Sequence, residues 1–259
     1  MAKVIGYSER GLVYSLINDI SQDDGLIESF LKKIFEISDF PSVVHPKDIV
    51  IYIEPSLSEF GDPDLIITFK DGGVSKICFI EAKYNVKIKT ELNKFVTNIS
   101  LNYKDVSDSF PSNLFSQILL KYFFTKAKKR IDIKQKNKTN NVKIIFDSFV
   151  GFDGLNNLKN YRSAGAKPTV LELIKKINWR KSEDYYIGLV RGKSNSMKQI
   201  LNDFLNLGLI NEIKGRVSLI GWDDIDQIEN QLSEKNYSFK MFDATKKFNL
   251  DYKNKDYND

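Results

Sequence analysis

Three charged residues, Asp64, Glu81 and Lys83, stand inside the otherwise apolar run DLIITFKDGGVSKICFIEAKY. A charge within a buried strand costs several kcal/mol unless it is paired or bound to something. Between the two halves lies Asp71-Gly72-Gly73, a short hairpin signal. With Gly72-Gly73 as a two-residue turn, Asp64 falls directly opposite Glu81. With Asp71-Gly72 as the turn it faces Phe79 and lies diagonal to Glu81, on the same face, whereas a three-residue loop breaks this parity. Lys83, two residues beyond Glu81, projects from the face of Glu81. Two carboxylates carried on Cβ atoms about 5 Å apart repel each other unless a cation lies between them. Mg²⁺, or Mn²⁺ in its place, suits such a pair, since it takes one or two protein carboxylates and completes its shell with water and phosphate. Water held there beside Lys83 would attack a phosphodiester while the cation offsets charge on the phosphate oxygens. The plainer alternative is a surface strand on which Glu81 and Lys83 form salt bridges.

The elements that must position these residues are legible as patterns. Ser8 can cap a helix bearing Leu12, Val13, Leu16, Ile17 and Ile20 on one face, and a second amphipathic helix runs from about Gly25 to Ile37. Strands are expected at 48–54, 64–69 and 76–84, and again at 142–150 (VKIIFDSFV). Pro111-Ser112-Asn113 opens a strong helix, LFSQILLKYFFTKAKK. Further on, residues 168–177 and 197–208 read as helices and 185–190 as a strand. LINEIKGRVSLIGW reads as a hairpin before a last helix, DDIDQIENQLSE. From about residue 236 a Lys-, Asn- and Asp-rich tail reads as loosely held. Together these predict a mixed α/β chain with one domain over 1–235, a core over about 8–150 and a C-terminal α/β extension over about 151–235.

Composition narrows the chemistry. The chain of 259 residues holds one histidine, His45, and one cysteine, Cys78. HExxH zinc sites and cysteine zinc sites are thereby excluded and serine–histidine triads are implausible, so carboxylates and lysines must carry any catalysis. A lone cysteine fits a reducing cytoplasm, and no stretch approaches the roughly 20 apolar residues of a membrane span.

Pro63-Asp64, followed by Glu81-Ala82-Lys83, resembles the signature of the PD-(D/E)xK nuclease superfamily, the fold of many restriction endonucleases. The resemblance covers roughly the first 150 residues and implies an αβββαβ core, a mixed sheet flanked by helices. It implies that Asp64, Glu81 and the backbone carbonyl of Ala82 bind Mg²⁺ and that Lys83 orients or activates the attacking water. Glu9 matches a first-helix glutamate that approaches the metal in many members, and it lies on the stripe of Val13 and Leu16. Gln117 matches a glutamine on the helix after the third strand. One branch continues as Gln-x-x-x-Tyr, whereas here the fourth residue after Gln117 is Lys121 and Tyr122 is the fifth. The implied activity is endonucleolytic cleavage of nucleic acid, DNA before RNA, in restriction or defence against foreign DNA. A homodimer would serve two-strand cleavage. The rival reading is a nucleic-acid-binding protein with an inactive nuclease fold.

Charge distribution suits such a substrate. The net charge is +5, yet residues 121–143 carry about +8 and the remainder about −3. Lys126, Lys128, Lys129, Arg130, Lys134, Lys136 and Lys138 are the candidate grip on phosphates, with a solvated loop as the alternative. Trp179, Arg180, Lys181, Arg191 and Lys193 could line the same groove. Gly188-Leu-Val-Arg-Gly192-Lys193-Ser194 imitates a phosphate loop but has three residues between its glycines where four are needed. The helix and hairpin after Met197 could form a winged helix, although a sheet extension is the better expectation.

Overall fold

The computed structural model describes residues 9–55, 57, 61–84, 86–100, 112–134, 176–177, 179, 181–234 and 237–255. In chain order these form α1 (Glu9–Ile20), α2 (Asp24–Ile37), β1 (Lys47–Ile53), β2 (Leu65–Asp71), β3 (Val74–Lys83), α3 (Ile88–Ser100), α4 (Leu114–Lys134), β4 (Ser182–Val190), α5 (Lys198–Asn206), β5 (Val217–Gly221), α6 (Trp222–Ser233) and α7 (Lys240–Lys255). Short 3-10 turns occupy Ser194–Met197 and Asn211–Arg216.

The strands make one mixed sheet in the order β1-β2-β3-β4-β5. The β1/β2 and β2/β3 pairs are antiparallel, and β4 and β5 continue from β3 in parallel. Period-two alternation divides the sheet between two cores. Ile66, Ile77, Phe79, Tyr186 and Leu219 face one layer with α3, α4 and α5. Ile67, Cys78, Ile80, Ala82, Tyr185 and Ile187 face the other, formed by α1, α2, α6 and Phe242 of α7. A strand covered on both sides must be apolar on both, which is why β3 reads as a nearly continuous hydrophobic run. At the open edge, β1 carries a register irregularity between Lys47 and Val50, with Asp48 at φ +52° paired to Lys70 at 2.8 Å. Such a twisted, charged edge discourages pairing with another chain.

Helix α4 is the central support of one layer, and every residue from Asn113 to Thr125 is buried. Its start is fixed by Asn113, whose Oδ1 accepts the backbone N–H groups of Phe115 and Ser116 at 3.0 and 3.2 Å. Glu91 of α3 accepts the N–H of Leu114 at 3.2 Å, which locks the two helices together. Capping of this kind satisfies helix-terminal donors that have no intrahelical acceptor.

Several expectations need correction or placing. Among the described residues the strand that follows α4 is β4, within the region expected to be an extension; residues 142–150 lie outside the described ones, as does most of the helix expected over 168–177. The expected hairpin after Gly208 is absent. Asn211–Arg216 form a 3-10 turn and β5 pairs in parallel with β4, so this part extends the sheet and is not a wing. Ile210 and Ile213, both buried and three residues apart, suit such a turn and not a strand. The tail expected to be loose is largely α7, docked through Phe239, Phe242 and Thr245, whose spacing of three makes a buried stripe among polar residues. Thr245 Oγ1 lies 2.6 Å from Ser15 Oγ of α1, and Asp19 accepts the N–H of Phe242 at 2.8 Å.

Candidate active site

The β2–β3 hairpin turns on Gly72 and Gly73, at φ +56° and +82°. Both values belong to the left-handed region, which a tight two-residue turn requires and glycine supplies without strain. Asp71 therefore pairs with Val74, and the register runs on to Leu65 opposite Ile80. One further step sets Asp64 opposite Glu81, the first of the alternatives open from sequence. Both residues have the parity of Ile66 and Phe79, so they face the α4 layer, as does Lys83.

The local bonds hold this geometry. Asp64 Oδ2 accepts the backbone N–H of Ala82 at 2.7 Å. Continuing the register would put Pro63 opposite Ala82. Proline brings no N–H, so it cannot donate a ladder bond to the Ala82 carbonyl from there. The Asp64 carbonyl accepts the N–H of Glu54, at the end of β1, at 3.0 Å. Glu54 sits at φ +44°, in the left-handed region, and its carboxylate pairs with Arg10 of α1 at 2.6 Å. Tyr14 of α1 stands against the same carboxylate, its phenol pushed up to about 12 by burial and by the hydrogen bond to Glu54.

Glu81 is buried and lies between two ammonium groups. Lys83 Nζ is 3.2 Å from its Oε1 and Lys121 Nζ of α4 is 3.5 Å from its Oε2. The second distance is that of an ion pair and exceeds a good hydrogen bond. Among the described residues Glu81 Oε2 is buried with no hydrogen-bond partner. Lys121 also donates to Gln117 Oε1, one helical turn before it. The loop before Asp64 closes over Gln117 at Gly61, at φ +75°, where a Cβ would collide with the Gln117 amide. Burial lowers the Lys121 pKa below the ordinary lysine value, against Glu81 and Asp64, which favour its charged form.

The structure thus brings together Asp64, Glu81, Ala82, Lys83 and Gln117. Glu9 opens α1, across the sheet from α4, and its side chain is outside the described residues. Of the basic tract, Lys126 pairs with Glu212 at 2.7 Å and lies over the Tyr122 ring at 5.5 Å. The side chains of Lys128, Lys129, Arg130 and Lys134 and all of Lys136 and Lys138 lie outside the described residues. Trp179 is core, stacked on Phe79 and edge-on to Phe124, and does not line a groove. The phosphate-loop imitation binds its own chain: Asp224 Oδ2 accepts the N–H groups of Ser194 and Gly221 at 2.7 and 2.9 Å.

Lys121 and Gly61 are the residues that sequence reasoning did not place at the site. The signal for Lys121 was present, a lone lysine inside an apolar helical run at i+4 from Gln117. Among the described residues no three His, Cys, Asp or Glu side chains converge, so the centre offers a carboxylate pair. That donor set, the orphaned Glu81 Oε2 and the Ala82 carbonyl opposite a proline fit a hard cation that keeps much of its water. No helix among the described residues is long and apolar enough to cross a membrane. Compared with protein-family models, with curated proteins and with solved structures, the chain matches none.

Proposed function

We propose that the chain is a Mg²⁺-dependent endonuclease of the PD-(D/E)xK kind, hydrolysing phosphodiester bonds of nucleic acid, with duplex DNA as the favoured substrate. The observation that carries this reading is the hairpin register: it sets Asp64 beside Glu81 on the Lys83 face, with Glu81 Oε2 buried and lacking a hydrogen bond. Asp64, Glu81 and the Ala82 carbonyl would hold the cation. Once bound, the cation would supply charge stabilisation on phosphate oxygens and acidify water. Lys83, 15% exposed and 3.2 Å from Glu81, reaches the solvent side of the centre and can orient water or a phosphate oxygen there. Gln117, held under Gly61, fixes the opposite wall. From Gln117 to the end of α4 at Lys134 is about 25 Å along the axis, so the basic tract would meet phosphates away from the cleaved one.

A second reading, a nucleic-acid-binding protein without activity, is favoured by one observation: the Glu81 carboxylate already faces two ammonium groups. An end-labelled duplex incubated with Mg²⁺, with Mn²⁺ and with EDTA separates the two. Cleavage in either metal and none in EDTA is the expected outcome. Retention of DNA in a gel-shift assay, equal with metal and EDTA and with no cleavage in any lane, would favour the binder.

A further inference from the structure

Lys121 is a lysine in the wrong place for a surface charge. Its side chain is 2% exposed, inside a helix buried on every side from Asn113 to Thr125. The Asn113 cap and the Glu91 bond pin that helix, so the ammonium cannot swing out to water. Its partners are Gln117 Oε1 and, at 3.5 Å, the same Glu81 oxygen that lacks a hydrogen bond. A buried ammonium held at ion-pair distance from a buried carboxylate compensates that charge, as a bound cation would. Asp64, Glu81, Lys83 and Lys121 together sum to zero charge, so a divalent cation entering the centre meets no net negative charge while Lys121 is in place.

We infer that Lys121 is a built-in counter-ion of the centre: it stabilises the buried Glu81 carboxylate when no divalent cation is bound and competes with one for Glu81 Oε2. This rests on the cation-site reading above. Lys121 is a positioning residue in this role, acting on substrate only through Glu81. It follows that the protein folds stably without metal, binds one metal ion weakly, and becomes metal-dependent for stability once the lysine is removed. Without Lys121, Glu81 keeps only Lys83, on its other oxygen, until metal enters, and a positive charge that repelled the metal is gone.

The test uses the full chain and Mn²⁺ as the probe, read by thermal unfolding in EDTA or Mn²⁺ and by calorimetric titration of the metal. Wild type should unfold at nearly the same temperature in both conditions and bind one Mn²⁺ per chain. Lys121→Met should unfold at least about 5 °C lower in EDTA. It should recover most of that in Mn²⁺ and bind the metal at least about tenfold more tightly. Lys121→Gln, which keeps a polar group beside Gln117, serves if the methionine variant fails to fold in EDTA, and the same shifts are expected. The double variant Glu81→Gln/Lys121→Gln should lose both the Mn²⁺ dependence and the tight binding. A lysine that merely packs would lower stability equally in EDTA and Mn²⁺ and leave affinity unchanged, and that result overturns the inference. Absence of Mn²⁺ binding to wild type and both single variants overturns the cation-site reading, and the inference with it. Binding to wild type with no gain in the variants overturns the inference alone.

Discussion

Each charged residue at the centre has its orientation set by a neighbour of a particular type. Asp64 is turned by the Ala82 amide and Glu81 is held between Lys83 and Lys121. Gly61 lets the preceding loop close over Gln117. Gly61→Ala would force a Cβ into the Gln117 amide at a positive φ, and we expect a loss of about 1–2 kcal/mol in urea denaturation together with reduced cleavage. Lys83→Ala removes one of the two ammonium groups facing the buried Glu81 carboxylate and should cost about 1–3 kcal/mol in urea denaturation. It should cut the cleavage rate by at least about a hundredfold in single-turnover assays. Asp64, Glu81 and Lys83 were legible because strand parity is simple: residues of like parity share a face whichever two-residue turn forms. Lys121 was hidden because helix burial depends on how many sides are covered. LFSQILLKYFF says that α4 is apolar, but only its place between α3 and the sheet shows that a lysine within it is enclosed.

Elements position the centre through close approaches that particular residues permit. The parallel strands β3, β4 and β5 bring their C-terminal ends to one side, where Glu81 pairs with Gly188 and Val190 with Gly221. Gly221 packs on the carbonyl of Gly192, leaving no space for a Cβ, and the loop amides close on Asp224. Gly221→Ala should therefore be among the most damaging small substitutions, costing about 3 kcal/mol, because backbone stands on both sides of the new methyl and neither can give. Chemical denaturation followed by circular dichroism checks this. The antiparallel hairpin was readable from a local turn. The parallel partner of β3 was not, since it comes from more than 100 residues along the chain (Ser75 with Ser182) and no local pattern encodes that pairing. The same limit turned β5 into a supposed hairpin arm.

At the scale of the molecule, α7 closes one layer by packing on α1 and α6. Lys246 of α7 bridges Glu229 at 2.9 Å and Asp226 at 3.1 Å, with Asp243 at 3.4 Å on its own helix. Burial, then the hydrogen bond with Asp243, pushes the Glu229 carboxyl up to about 7. A carboxyl raised in the fold keeps a proton that the unfolded chain releases near 4.5, so its contribution is full below that pH and is lost as pH rises towards 7. Stability should fall across this window, and Glu229→Gln should flatten that part of the profile, measured as unfolding midpoint against pH. The α/β class and its helix-flanked strands could be read from periodicity. The docking of α7 could not, because three buried residues among charged ones look like a solvated tail until α1 is placed beside them.

The most direct test of the central claim is cleavage of supercoiled plasmid in Mg²⁺ by wild type, Glu81→Gln and Lys83→Ala, each shown to be folded by circular dichroism. Nicking or linearisation by wild type that both variants lose is the predicted result. Equal activity in all three, or no cleavage by wild type in either Mg²⁺ or Mn²⁺, would contradict the account.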